Sequence, residues 1–420
     1  MRPENTSTDP RLQAVTVLAR VEANSAHAAR LLGGATPAER ELVMGTLRWQ
    51  LTLDRLLERH LRTPIAALDI RVRAVLRVGL YEARRMRTPA PVAVAEAVRL
   101  AKAVAPRATG LVNAVLRRAV GETWPGASDA AVPLSVRYSH PAWLVERWRG
   151  LLGEQVTEDA LAADQEAAPL YLLSAVSALD ELTAAGCILR PHPTVSGVVA
   201  VEAGVEAAVA ALRAGRAYAM DPTAVAVARV LPEVDGTVMD LAAAPGGKSL
   251  VLASERPGGR FLASDRHFGR TVLMRRNLAL AGRPLALMVA DAAASPLRPA
   301  SCQLVVLDAP CSGTGTLRRH PEIRWRLRPG DLAELSATQR TLAAAASELL
   351  APGGVLLYAT CSLEPEENSE VVAPLPFEAL PLTARLPDKL SWIELPSGGA
   401  VIPPSANGDG FTVHLLRKRT

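Results

Sequence analysis

The sequence predicts a multidomain protein. It has an all-helical N-terminal part, a small α+β connecting part, and a C-terminal α/β part on a mostly parallel sheet. Three observations predict this. Residues 10–120 carry apolar side chains at three- and four-residue spacing in five successive stretches. Residues 134–225 alternate short strand-like and helix-like runs. From residue 226 onward, apolar runs ending in an acid alternate with helical stretches, the pattern of strands joined by crossover helices. At 420 residues the chain has room for two or three domains of roughly 150 residues each. A composition 49% apolar and 21% charged supports folded cores throughout.

In the helical part, Thr36-Pro37 before Glu39 and Leu68-Asp69 before Val72 read as helix starts. The Gly-, Pro- and Ser-containing stretch 121–133 reads as a linker. The expected domains are therefore 1–125, 134–225 and 226–420. Within the second, a helix around HPAWLVERWRGLL is followed by strand-like LYLLSAV, helix-like ALDELTAAG, strand-like GVVAVEAG and helix-like VEAAVAALRAG. Trp143 and Trp148 stand at helical spacing and read as packing residues. Charge is uneven. Residues 1–120 hold 20 Lys and Arg against 10 Asp and Glu, while the whole chain holds 47 against 42. A basic front half suits a polyanionic partner; an Arg-rich solvated helical surface is the alternative.

In the C-terminal part, GTVMDLAA, RFLASD, LALMVAD and CQLVVLDAP place Asp240, Asp265, Asp291 and Asp308 at the ends of four strands. Ligands of open α/β sheets sit in the crevice beyond those ends. The first strand-to-helix turn is DLAAAPGGKS (240–249). Small residues there let the backbone approach a ligand, and the following helix start offers free N–H groups. A Walker A loop fails by one residue, because Ala242 stands where its first Gly belongs, and no G-x-G-x-x-G occurs. Asp265, about 25 residues after Asp240, is placed to bind a ribose, and Asp291 to meet an adenine edge. A tight turn with no ligand is the alternative.

The four cysteines, Cys187, Cys302, Cys311 and Cys361, form no CxxC pair and no zinc spacing. No metal is expected, and His267, His320 and His414 lack partner spacing for one. The opening MRPENTSTDPRLQ has no apolar core, and no apolar run of about 18 residues occurs. The expectation is a cytoplasmic protein with free thiols and no membrane association. Cys311 and Cys361 each follow a turn-forming or small polar residue just past a strand, in LDAPCSGTG and LLYATCSLEPEEN. If those strands are neighbours, both thiols enter the crevice beside the glycine-containing loop.

DLAAAPGGK, DAPCSGTG and ATCSLEPEEN resemble the motifs of bacterial small-subunit rRNA cytosine-C5 methyltransferases of the Sun/NOL1/NOP2 (RsmB-like) family. RELVMGTLRWQLTLDRLL, VRAVLRVGLYEARRM, VAEAVRLAK and GLVNAVLRRA resemble the NusB-like RNA-binding domain that precedes the catalytic domain in that family's small-subunit rRNA subgroup. RYSHPAWLVERW and AYAMDPTAVAVARVL resemble its connecting region. The resemblance implies a C-terminal Rossmann-like class I methyltransferase domain, with S-adenosyl-L-methionine as cofactor. It implies an rRNA cytosine, in 16S rRNA, as substrate. The cofactor residues implied are Ala242, Ala243, Ala244, Pro245, Gly246, Gly247 and Lys248, with Asp265, Asp291 and Asp308. Cys361 matches the nucleophile, Cys311 the cysteine assisting product release, and Asp308 the acid at the cytosine. Lys248 is a further candidate near the reacting base; a surface lysine at a helix start is the alternative. The chain departs from the family at Ala242, Ser369 and Thr412, where Cys, an acid and an aromatic are usual.

That chemistry explains the residue types. A thiolate adding to C6 of cytosine turns C5 into a nucleophile; a carboxyl at N3 favours the addition. Asp308, three residues before Cys311, is placed for that role. A base within a duplex hides C5 and C6, so the target is an unpaired or flipped cytosine, in free rRNA or a ribosomal assembly intermediate. The run LRRHPEIRWRLRPG (317–330) nominates Arg319, Arg324 and Trp325 for RNA contact, with a solvated loop as alternative. Three rival functions are weighed. A silent RNA-binding factor leaves the two thiols without purpose, ATP hydrolysis fails at Ala242, and a free-nucleotide enzyme has no use for the basic front half.

Overall fold

The computed structural model describes residues 9–126, 129–255, 260–282 and 285–419. The N-terminal residues expected to carry no leader lie largely outside these, as do residues 127 and 128 of the expected linker. The remainder of 121–133 forms no helix or strand. The chain divides into two compact units: Met1–Glu166 with Leu317–Leu327, and Ala167–Thr316 with Arg328–Thr420.

The first unit is all-helical. Its main helices are Pro10–Asn24, Pro37–Arg48, Gln50–Glu58, Ile70–Arg85, Ala90–Val104 and Thr109–Ala119. The expected starts are built as capping chemistry requires. Thr36 accepts from Glu39 N at 3.2 Å while Glu39 accepts from Thr36 N at 2.6 Å, and Asp69 accepts from Arg71 N at 2.9 Å. Each such cap is worth about 1 kcal/mol. The apolar faces meet in one core that includes Leu53, Leu57, Val75, Leu76, Leu80 and Leu116.

The expected 134–225 module divides between the units. Helices Ala142–Leu152 and Glu154–Ala163 join the first, where Trp148 is fully buried. The reason is local bonding: Thr52 Oγ1 donates to Val136 O at 2.6 Å, and Ser139 Oγ accepts from Leu51 N at 2.9 Å. The following β-containing part belongs to the second unit. It is a three-stranded antiparallel sheet of β1 (Leu170–Leu173), β2 (Ile188–Pro191) and β3 (Val198–Ala203), in the order β1-β3-β2. LYLLSAV is strand only over its first half, and Ser174–Val176 turns as a 3-10 helix.

The main sheet carries β4 (Thr237–Asp240), β5 (Arg260–Asp265), β6 (Ala286–Val289), β7 (Cys302–Asp308) and β8 (Leu350–Thr360). It continues with β9 (Phe377–Ala379), β10 (Ile393–Glu394), β11 (Ala400–Ile402) and β12 (Phe411–Lys418). The order is β10-β11-β12-β8-β7-β4-β5-β6, with β9 on β12. The five strands β4 to β8 pair in parallel, as expected, and β12 runs antiparallel beside β8. Leu304, Val305, Val306 and Leu307 are fully buried, which is why β7 reads as an unbroken apolar run. The order reverses on either side of β4, so the crevice opens at the carboxyl ends of β4 and β7. Among the described residues no helix is long and apolar enough to cross a membrane, and no cluster of His, Cys, Asp and Glu is placed to hold a metal ion.

Candidate active site

Four strand ends deliver the four acids. Asp240, Asp265 and Asp308 are the last residues of β4, β5 and β7, and Asp291 lies two residues beyond β6. The β4 turn is held by backbone bonds: Leu241 N to Val306 O at 3.0 Å, Ala243 N to Ser264 O at 2.9 Å, and Gly246 N to Ala243 O at 2.6 Å. Gly246 sits at φ 101°, a backbone conformation that only glycine adopts without strain. Residues 242–247 therefore present a backbone-lined cradle leading into helix Gly247–Glu255.

The acids differ in surroundings. Asp240 is buried and accepts from Ser249 Oγ at 2.7 Å. Burial, with the nearby charge of Asp308 adding to it, pushes the Asp240 carboxyl up to about 7 against the pull of Ser249, Lys248 and the Ala242 amide. Asp265 accepts from His267 N at 2.9 Å and faces Arg270 at 3.2 Å. Asp291 is exposed and caps a short turn through Ala293 N at 2.9 Å. Lys248 is no surface lysine. Its side chain is 6% exposed; Nζ lies 2.7 Å from Asp308 Oδ2 and 5.1 Å from the centre of the Phe411 ring.

The two thiols meet. Cys311 follows β7, Cys361 follows β8, and their Sγ atoms are 3.4 Å apart. The loops interlock: Gly315 N donates to Cys361 O at 2.9 Å, and Gly410 N to Gly315 O at 2.7 Å. A Cβ on Gly315 would lie 2.1 Å from Gly410 O, so glycine is required there. Thr412 Oγ1 donates to Ser362 O at 2.7 Å, giving a use to a residue where an aromatic is usual in the family. The hydrogen bond to Cys361, then burial, then the charges of Cys361, Glu367 and Asp308 push the Cys311 thiol well up. Cys187 and Cys302 lie buried elsewhere.

Two of the nominated RNA contacts are instead framework residues of the first unit. Arg324 is 1% exposed, and its guanidinium donates to Ser139 O at 3.0 Å and, at longer range, to Arg48 O, Asp164 O and Leu317 O. Burial pulls it down to about 10. Trp325 packs on the helical core and donates from Nε1 to Leu47 O at 2.7 Å. Both point inward because Leu317–Leu327 belongs to the helical unit, which a basic-plus-aromatic pattern does not reveal. Arg319 is half-buried. The sequence reading also missed Ser312, Ser362, Glu367 and Gln339, which join the two thiol loops. The signal for two of them was present: each cysteine of the pair is followed by a serine.

A switch-point crevice, a small-residue loop after the first parallel strand and an acid at each neighbouring strand end define a class I methyltransferase. The paired thiols narrow the class. Residues 227–417 match the family model described as 16S rRNA methyltransferase RsmB/F, and residues 8–120 match the NusB family. The Pseudomonas putida protein named ribosomal RNA small subunit methyltransferase B is 33% identical over 98% of both chains. Its Sodalis glossinidius namesake is 32% identical over 90% of this chain and 89% of its own. The crystal structure of PH0851 matches with a TM-score of 0.75 at 25% identity, covering 98% of this chain and 99% of that one. The chain belongs to the RsmB/F methyltransferase family and carries an N-terminal NusB-family domain.

Proposed function

We propose that the protein transfers a methyl group from S-adenosyl-L-methionine to C5 of a cytosine in small-subunit rRNA, through a covalent bond between Cys361 and C6. The observation that carries this is the 3.4 Å approach of two thiols beside the β4 loop and the Asp308–Lys248 pair. The relatives' names supply rRNA as substrate class.

The donor fits the residues present. The 242–248 loop offers bare backbone, Asp265 an acceptor for a ribose diol, and Asp291 an exposed acceptor for an adenine edge. S-adenosyl-L-methionine supplies an electrophilic methyl. Cys361 Sγ, its proton given up to solvent, adds to C6, and the C5–C6 π electrons then make C5 nucleophilic toward the methyl that such a donor would supply. Asp308 meets the N3 edge as a carboxylic acid that donates to N3, its proton supplied by the Lys248 ammonium 2.7 Å from its Oδ2. Cys311 stays protonated while Cys361 is a free neighbour. Once Cys361 is bonded to carbon, its own share in raising Cys311, the hydrogen bond and its charge, is gone, while burial, Glu367 and Asp308 still act. Cys311 then serves release: its own proton lost to solvent, its sulfur takes the C5 proton, the C5–H electron pair restores the C5–C6 double bond, and the C6–S pair leaves on Cys361 Sγ. Arg319 is the remaining RNA contact of its run, and the target base is unpaired or flipped.

Two variants test this. Cys361→Ala abolishes methyl transfer while cofactor affinity, read by calorimetry, is kept. Cys311→Ala accumulates a protein–RNA adduct on a denaturing gel. Unchanged turnover and no adduct in both would refute the covalent route.

A further inference from the structure

The loops bearing the two thiols are joined through one side chain. Ser312 follows Cys311 and Ser362 follows Cys361. Both hydroxyls donate to Glu367 Oε2 at 2.5 Å, and their oxygens lie 3.1 Å apart. Glu367 Oε1 accepts from Ser312 N at 2.8 Å and from Gln339 Nε2 at 2.9 Å. Gln339, buried on helix Asp331–Leu349, also donates to Pro310 O at 2.9 Å, the residue before Cys311. Glu367 itself is 0% exposed, and among the described residues no Lys, Arg or His stands within ion-pair distance. Burying a carboxylate without a cation is costly unless its donors are fixed in place. All four partners present hydrogens, so the group acts purely as an acceptor.

We propose that Glu367 is a positioning residue that sets the separation of the two thiols. One carboxylate holds the residue after each cysteine, so the Sγ–Sγ contact is imposed by the framework and does not depend on the weak attraction between thiols. Glu367 also acts through charge, being among the groups that push the Cys311 thiol up. Its consequence for methyl transfer rests on the reading of Cys361 and Cys311 as the reacting pair; the geometry itself is measurable without RNA.

The test uses the full chain and no substrate. Diamide converts two adjacent thiols to a disulfide and is itself reduced to the hydrazine. The rate of Cys311–Cys361 cross-linking, followed by mass spectrometry, reports their approach. Glu367→Gln sets an amide donor against donors and should slow cross-linking about tenfold or more, since placement errors near 1 Å cost reactions up to about a hundredfold. The same variant should move iodoacetamide capture of Cys311 to lower pH. Ser362→Ala keeps the charge, and should slow cross-linking less and leave that pH dependence in place. A folded Glu367→Gln protein with wild-type cross-linking and wild-type pH dependence at Cys311 would overturn the proposal. If that variant does not fold, the Ser312→Ala/Ser362→Ala pair decides: slowed cross-linking supports the clamp and a wild-type rate overturns it. Slowed cross-linking in an enzyme that transfers no methyl to RNA would sink the proposed reaction and leave the clamp standing.

Discussion

Asp240 shows how one buried carboxyl writes a pH dependence into the fold. The unfolded carboxyl releases its proton near 3.9, whereas in the protein burial raises it to about 7. Between those values the folded chain holds a proton that the unfolded chain has lost, so stability falls as pH rises from about 4 to 7. The loss is on the order of a few kcal/mol, at about 1.4 kcal/mol per unit. Asp240→Asn keeps an oxygen for Ser249 Oγ and cannot ionise. Its urea midpoint, compared with wild type, should gain ground between pH 5 and pH 8; an unchanged difference across that range would contradict the assignment. The candidate site residues were legible because their types are unusual where they stand: a cysteine after a strand, an acid at a strand end. Glu367 was not legible. It stands among Glu364, Glu366 and Glu370, and nothing in the order of residues singles it out from them; only the tertiary fold shows which of them faces two serines and a glutamine.

At the scale of elements, the parallel strands announced themselves because strands covered on both faces are continuously apolar. The antiparallel additions did not. β10 and β11 are only two and three residues long, and β12 includes the buried His414. Segment 317–327 shows the limit of pattern reading most clearly. Arginines beside a tryptophan are equally the composition of an RNA grip and of a strap whose guanidinium satisfies backbone carbonyls. Arg324→Met leaves those carbonyls without donors and should cost on the order of 3 kcal/mol. The melting temperature of the helical unit within the full chain should fall accordingly. Because Arg324 is internal, the slope of RNA affinity against salt should stay at its wild-type value at a temperature where the variant is folded. A slope reduced by about one would return Arg324 to the RNA surface.

Over the whole molecule the charge asymmetry has physical content that single residues lack. The first 120 residues hold twice as many basic as acidic side chains, and the rest is acidic on balance. Not every basic residue there is available to a partner: Arg77 is buried and paired with Glu22 and Asp54, and the half-buried Arg11 is paired with Glu82. The exposed remainder includes Arg87, Arg107, Arg117 and Arg118. Removing residues 1–120 outright is a poor test, because Leu317–Leu327 would lose the core on which Trp325 packs. Neutralising surface charge avoids that defect. Arg117 and Arg118 close helix Thr109–Ala119, so Arg117→Gln/Arg118→Gln removes two cations with little effect on packing. If this surface meets RNA phosphates, the plot of log affinity against log salt should flatten by about 0.7 to 0.9 for each phosphate that is no longer neutralised. Affinity should weaken about equally for target and unrelated RNA, because phosphate contacts position and do not specify. An unchanged slope with native melting would assign RNA binding to other surfaces and leave the basic front half as solvated helix.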